Sequence, residues 1–154
     1  MTEEKIIGYI QNGIVIDHIP LGKVWEIAHI LKIDKLDGGR ISLGEGYESK
    51  KLKNGKGILK VEGITLSDSQ LNYIALIAEG ANVSFIEEGI VKEKINVLIP
   101  SRLEGIVSCQ NEGCISRDNF QKADSIINYN SETEKFTCHY CRHSFDKSEV
   151  EILF

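Results

Sequence analysis

The sequence predicts an α+β protein in two parts, and three observations carry that expectation. The first hundred residues alternate β-branched runs with two stretches at helical spacing. All four cysteines fall after Ser108, as two close pairs. Between these regions, around Pro100 and Ser101, the chain changes from Ile-, Leu- and Val-rich and cysteine-free to polar and cysteine-bearing. The expected domains are therefore residues 1–100 and 101–154.

KIIGYIQ and GIVIDHI are β-branched runs separated by Asn12-Gly13, a hairpin signal. LGKVWEIAHILKI follows, with Val24, Ile27, Ala28 and Leu31 at helical spacing; Trp25 is expected in the core or half-buried on this helix, and His29 on its surface. Gly38-Gly39 makes a turn and RISLG a short strand. EGYESKKLKNGKG is a polar, Gly- and Lys-rich loop, and ILKVEGI is the next strand. Ser67 is an N-cap for SDSQLNYIALIA, in which Leu71, Ile74, Ala75 and Ala78 form an apolar stripe. Ala81–Ile86 and Ile90–Val97 complete the part as strands. The order is β-β-α-β-β-α-β-β. Its inner six elements have the ferredoxin-like arrangement, an antiparallel sheet with two helices on one face. The other face is solvated or meets a partner.

No apolar run approaches the ~20 residues of a membrane helix, and MTEEKIIGYIQNG lacks the apolar core of a signal peptide. The chain is thus expected to be cytoplasmic, with no membrane partner. A net charge of −5 argues against a general nucleic-acid binder, which needs a basic surface.

The cysteines obey C-x4-C-x23-C-x2-C, as CQNEGC and CHYC. In a reducing compartment such pairs are metal ligands or redox groups more often than disulfides. A redox dithiol needs one CxxC, and two disulfides need an oxidising compartment. Two knuckles suit one tetrahedral metal, and zinc is the usual occupant of an isolated four-thiolate site. Cys109, Cys114, Cys138 and Cys141 would close the coordination shell, which makes one Zn²⁺ per chain structural rather than catalytic. His139 and His143 are then surface groups beside the second knuckle. A C-terminal part this short has little core of its own and needs such a metal to fold, as a small all-β zinc-ribbon-like domain.

VIDHIP sets Asp17 and His18 side by side at a strand end, where alternation sends neighbours to opposite faces unless the strand is ending. The pair is either a solvated strand end before a turn at Pro20, or a polar site in which the acid accepts from a ribose hydroxyl and the imidazole approaches a phosphate. Lys50, Lys51, Lys53, Lys56 and Lys60 make a basic cluster in an acidic chain, ordinarily a solvated loop. Lys60 lies within a strand and Lys94 at a strand end, and both are candidates for an anionic ligand. No Walker loop, GxGxxG, nucleophile elbow or Ser/His/Asp or Cys/His set is present, so no active site is expected.

GIVIDHIP, ILKVEGITLS and CQNEGCIS, in this order and spacing, resemble the regulatory chain of aspartate carbamoyltransferase from end to end. The resemblance implies a non-catalytic subunit. Its N-terminal domain would bind the nucleoside triphosphates CTP, UTP or ATP and pair with its twin in a homodimer. Its zinc domain would contact the catalytic chain. Asp17 and His18 match the pair that meets ribose and phosphate, Lys60 the lysine at ribose and base, and Lys94 a phosphate lysine. Ile10, Ile86 and Val91 fall where the base is cradled, and the four cysteines match the zinc ligands. Ser84 stands where the family commonly has Asn, Gly89 where it often has Tyr, and Gly8 where it has an acidic residue. These departures bear on the strength and choice of nucleotide. Gln110 replaces the common Pro after the first cysteine.

Two other functions compete. A stand-alone zinc-ribbon adaptor for protein or RNA would use the sheet as a platform, but only five Phe and five Tyr are scattered along the chain. A small thiolate enzyme is disfavoured by the paired cysteines.

Overall fold

A computed structural model describes residues 10–36, 39–48, 55–118, 120 and 123–153. The chain divides into two compact units, Met1–Leu98 and Ile99–Phe154.

In the first unit, β1 (Gly13–Pro20), α1 (Val24–Ile30), β2 (Ile41–Tyr47), β3 (Lys56–Glu62), α2 (Asp68–Ile77), β4 (Asn82–Glu87) and β5 (Ile90–Asn96) follow one another. The sheet is antiparallel, in the order β2-β3-β1-β4-β5. This is the expected ferredoxin-like arrangement with β5 added at one edge. One sheet face carries Ile14, Ile16, Leu59, Val61 and Val83, all buried. α1 packs on that side against β3 and β2, and against α2.

α2 starts where its sequence requires. The Ser67 hydroxyl accepts from the backbone N–H of Gln70, and the Gln70 side chain accepts from that of Ser67, a reciprocal capping box. Ile74, Ala75 and Ala78 of the expected stripe are buried and Leu71 is half-buried.

Three expectations need correction. Trp25 is 65% exposed; it sits about 100° around α1 from Val24, off the stripe that faces the sheet. β1 is bordered on both sides, by β3 and β4, so it has no edge for the hairpin expected at Asn12-Gly13; most of KIIGYIQ lies outside the described residues. The Lys-rich loop is shorter than expected, because β2 runs on to Tyr47 and β3 begins at Lys56, paired with it. Lys50, Lys51 and Lys53 lie outside the described residues, as do Gly8 and Gly38.

Two glycines are dictated by geometry. A Cβ on Gly13 would lie 2.1 Å from the Val61 carbonyl oxygen. Gly89 (φ +77) follows Glu88 (φ +51) in the two-residue turn between β4 and β5, where both positions need positive φ.

The second unit is a four-stranded antiparallel sheet in sequential order: β6 (Arg102–Glu104), β7 (Ile126–Asn130), β8 (Lys135–Cys138) and β9 (Ser144–Asp146). Leu103, Ile127, Phe136 and Phe145 are buried, and Phe136 meets the rings of Tyr129 and Phe145 at 4.6 and 5.6 Å. This is the expected small all-β part.

Candidate functional site

In the second unit both knuckles are built from backbone turns that bend around sulfur. Asn111 N–H donates to Cys109 Sγ at 3.4 Å, and Cys114 N–H returns to the Asn111 carbonyl at 3.0 Å. In the other knuckle, Arg142 takes φ +66 and donates its N–H to the Cys138 carbonyl at 3.0 Å. The four Sγ atoms lie within 4.8 Å of one another, and the pairs Cys109–Cys141 and Cys114–Cys138 are 3.6 Å apart. Four sulfurs bound ~2.3 Å from one centre at tetrahedral angles stand about 3.8 Å apart. The donors therefore fit one zinc ion.

The electrostatics agree. Burial pushes the Cys109 thiol far above its ordinary value; the Asn111 N–H opposes this, and the neighbouring Cys141 and Cys138 add to it. Burial also raises Cys138, against N–H groups of Cys141 and Tyr140. For Cys141 burial acts upward too, but the His143 N–H, the Asn111 side chain and the neighbouring cysteines outweigh it and bring the thiol to about 6. Four packed thiols cannot share so small a volume as anions without a cation, and a bound zinc keeps coordinating thiols deprotonated. His139 and His143 are exposed beside this cluster. All four cysteines are committed as ligands, so the metal is structural.

In the first unit, register places most of the sequence-predicted residues together. Lys60, Val15, Ser84 and Lys94 stand opposite one another across β3, β1, β4 and β5. Opposite residues of an antiparallel sheet share a face. This row lies on the face away from the buried set, which no described helix covers. One row further, Ile86 pairs with Gly13 and Val91. A bulge at Lys92 keeps Val91 and Lys94 both on this face. Ile10 is buried, and the next residue, Gln11, accepts from Gly89 N–H at 2.8 Å, which ties this segment to the turn between Ile86 and Val91.

In the opposite direction the neighbouring row is Asp17, Asn82 and Asn96. Here β1 carries a one-residue bulge between Ile16 and Ile19, and His18 takes φ +59. The bulge breaks the alternation and brings both polar side chains to one place. Asp17 receives the Lys56 ammonium at 3.0 and 3.1 Å on its two oxygens and the His18 N–H at 2.7 Å. His18 Nδ1 meets Asn82 Nδ2 at 2.9 Å. Asn82, Asn96 and the Lys56–Asp17 pairing were not anticipated. Asn carries no strong sequence signal, and the register that gathers these residues exists only once the strands pair.

A ferredoxin-like unit with a polar and cationic sheet face, followed by a zinc ribbon whose metal has no open position, defines a two-part metal-binding protein without a catalytic centre in either unit among the described residues. Residues 5–98 match the family described as aspartate carbamoyltransferase regulatory chain, allosteric domain, and residues 101–151 match its metal binding domain. The chain is 38% identical over 150 residues to the aspartate carbamoyltransferase regulatory chain of Thermococcus onnurineus, covering 97% of both. It is 40% identical over 151 residues to that of Pyrococcus abyssi, covering 97% of both, and 36% over 152 residues to that of Porphyromonas gingivalis, covering 98% of both. The chain belongs to the family of aspartate carbamoyltransferase regulatory chains. It is thus a non-catalytic subunit of an enzyme of pyrimidine biosynthesis, with one structural zinc in its metal-binding domain. No described helix is long and apolar enough to cross a membrane.

Proposed function

We propose that the N-terminal unit is an allosteric domain that binds CTP, UTP or ATP on this polar sheet face, and that the zinc domain passes the effect to a catalytic chain. One observation carries this reading: Lys60, Ser84 and Lys94 occupy a single row, flanked on one side by Asp17 and on the other by Ile86 and Val91. Such a face offers ammonium groups to phosphates, a carboxylate to ribose hydroxyls and aliphatic surface to a base. His18 adds a ring nitrogen beside the carboxylate. Two copies pair through the N-terminal domain, and the catalytic chain of aspartate carbamoyltransferase is the partner of the zinc domain.

Calorimetric titration of the zinc-loaded chain with each triphosphate tests the site. Saturable heat with at least one of them is expected; none with any of the three sinks it. Co-purification with the catalytic chain distinguishes this reading from a stand-alone zinc-ribbon adaptor.

A further inference from the structure

The amides of Asn96 and Asn82 form a chain of hydrogen bonds with a fixed direction. It starts at the Gly80 carbonyl, which can only accept and takes a bond from Asn96 Nδ2 at 2.7 Å. That contact decides which end of the Asn96 amide is nitrogen, because the flipped amide would set two acceptors against each other. The same Nδ2 donates to Asn82 Oδ1 at 3.1 Å. Asn82 therefore presents its own Nδ2 to the other side, 2.9 Å from His18 Nδ1. An NH₂ group only donates, so Nδ1 accepts and carries no proton. The imidazole is then neutral, with its hydrogen on Nε2.

Asp17 does not compete for Nδ1. Its nearer oxygen is 3.7 Å away, outside hydrogen-bond range. Its carboxylate is already engaged by Lys56 and by the His18 backbone N–H. The ring is further held by the bulge and by the positive φ of His18, a conformation that persists only where surroundings enforce it.

We infer that Asn96 and Asn82 are positioning residues that fix His18 in its neutral Nε2–H tautomer, so that the ring meets a ligand as a hydrogen-bond donor while Lys60 and Lys94 supply the positive charge. The ligand side of this inference rests on the nucleotide reading above, and its acceptor is a phosphate oxygen. The tautomer itself does not depend on that reading.

The test uses the full-length, zinc-loaded chain labelled with ¹⁵N. Long-range ¹H–¹⁵N correlation reports the tautomer, and the His18→Gln spectrum identifies His18 among the four histidines. The unsubstituted chain should show an unprotonated Nδ1 and a protonated Nε2. Asn82→Asp is nearly isosteric but can only accept, so it should move the proton to Nδ1. Asn96→Ala should leave Asn82 free to turn over, mix the tautomers and weaken ATP or CTP by roughly tenfold, the scale of one net hydrogen bond, with zinc content unchanged. The inference is overturned if the unsubstituted His18 carries its proton on Nδ1, or if Asn82→Asp and Asn96→Ala keep the original tautomer. If the tautomer responds as stated but no triphosphate binds the unsubstituted chain, the positioning role stands and the nucleotide reading falls.

Discussion

Lys60 and Lys94 project from the same face of one sheet, in the same transverse row, with β1 and β4 between them. Three strand spacings of ~4.8 Å put their Cα positions about 14 Å apart. Two ammonium groups so separated suit opposite ends of an elongated ligand better than one small anion.

The two lysines should therefore be separable by ligand. Lys94→Ala should weaken triphosphate far more than the parent nucleoside, whereas Lys60→Ala should weaken both. A hydrogen bond to a charged group contributes roughly 1.5–3 kcal/mol, or about ten- to a hundredfold in affinity. Titrations of each variant with CTP and cytidine decide it. Equal losses for both ligands in Lys94→Ala would remove the phosphate assignment.

The zinc unit should not survive loss of one ligand. Its core is a few side chains around Phe136, and the four sulfurs replace what a larger core would supply. Zinc binding to such domains is coupled to folding, with apparent free energies on the order of 10 kcal/mol. Cys114→Ser or Cys141→Ser should abolish the dispersed amide resonances of residues 101–154 and, with them, capture by the catalytic chain. A variant that lacks zinc but keeps those resonances contradicts the structural role of the metal.

Gly13→Ala should destabilise the sheet unit, because its new methyl meets the Val61 carbonyl at 2.1 Å in the centre of the sheet. Backbone displacement of this kind costs about 3 kcal/mol. Trp25→Gln, at a site 65% exposed, should change stability by less than ~0.5 kcal/mol. Thermal unfolding of the two variants checks both, and the reverse ranking would place Trp25 in the core after all.

Legibility followed the range of the signal. The cysteine spacing and the Ser67 N-cap are local, and both formed as the sequence indicates; the reciprocal bond from Gln70 came with the structure. The helical wheel of α1 already sets Trp25 off the stripe of Val24, Ile27 and Ala28, and position on the helix outweighs the size and hydrophobicity of the side chain. The bulge at Asp17–His18 was beyond local reading. It exists because β1 must satisfy β3 and β4 at once, and the alternation rule fails where one strand carries an extra residue. Asn82, Asn96 and Lys56 reach the candidate site by pairing register alone. Lys60 and Lys94 became a row for the same reason, although their residue type had marked each singly.

The residues proposed to meet nucleotide belong to the first unit and the zinc ligands to the second. An effector held by one unit can act on a catalytic chain held by the other only by favouring one of at least two states of the assembly, to the extent that its affinity differs between them. Couplings of this type are typically ~1–3 kcal/mol, or roughly five- to 150-fold in affinity. Coupling is reciprocal for equilibrium binding. An unreactive aspartate analogue bound to the catalytic chain should therefore shift CTP or ATP affinity by the same factor by which that nucleotide shifts affinity for the analogue. Lys60→Ala should lower nucleotide affinity and blunt this factor, while zinc content and assembly stay intact. Calorimetry on the reconstituted complex, with each ligand titrated in the absence and at saturation of the other, yields both factors from one preparation. If triphosphate binds the complex yet both factors equal one and the catalytic rate does not change, the chain is a structural subunit with a silent nucleotide site, because a ligand with equal affinity for two states shifts neither.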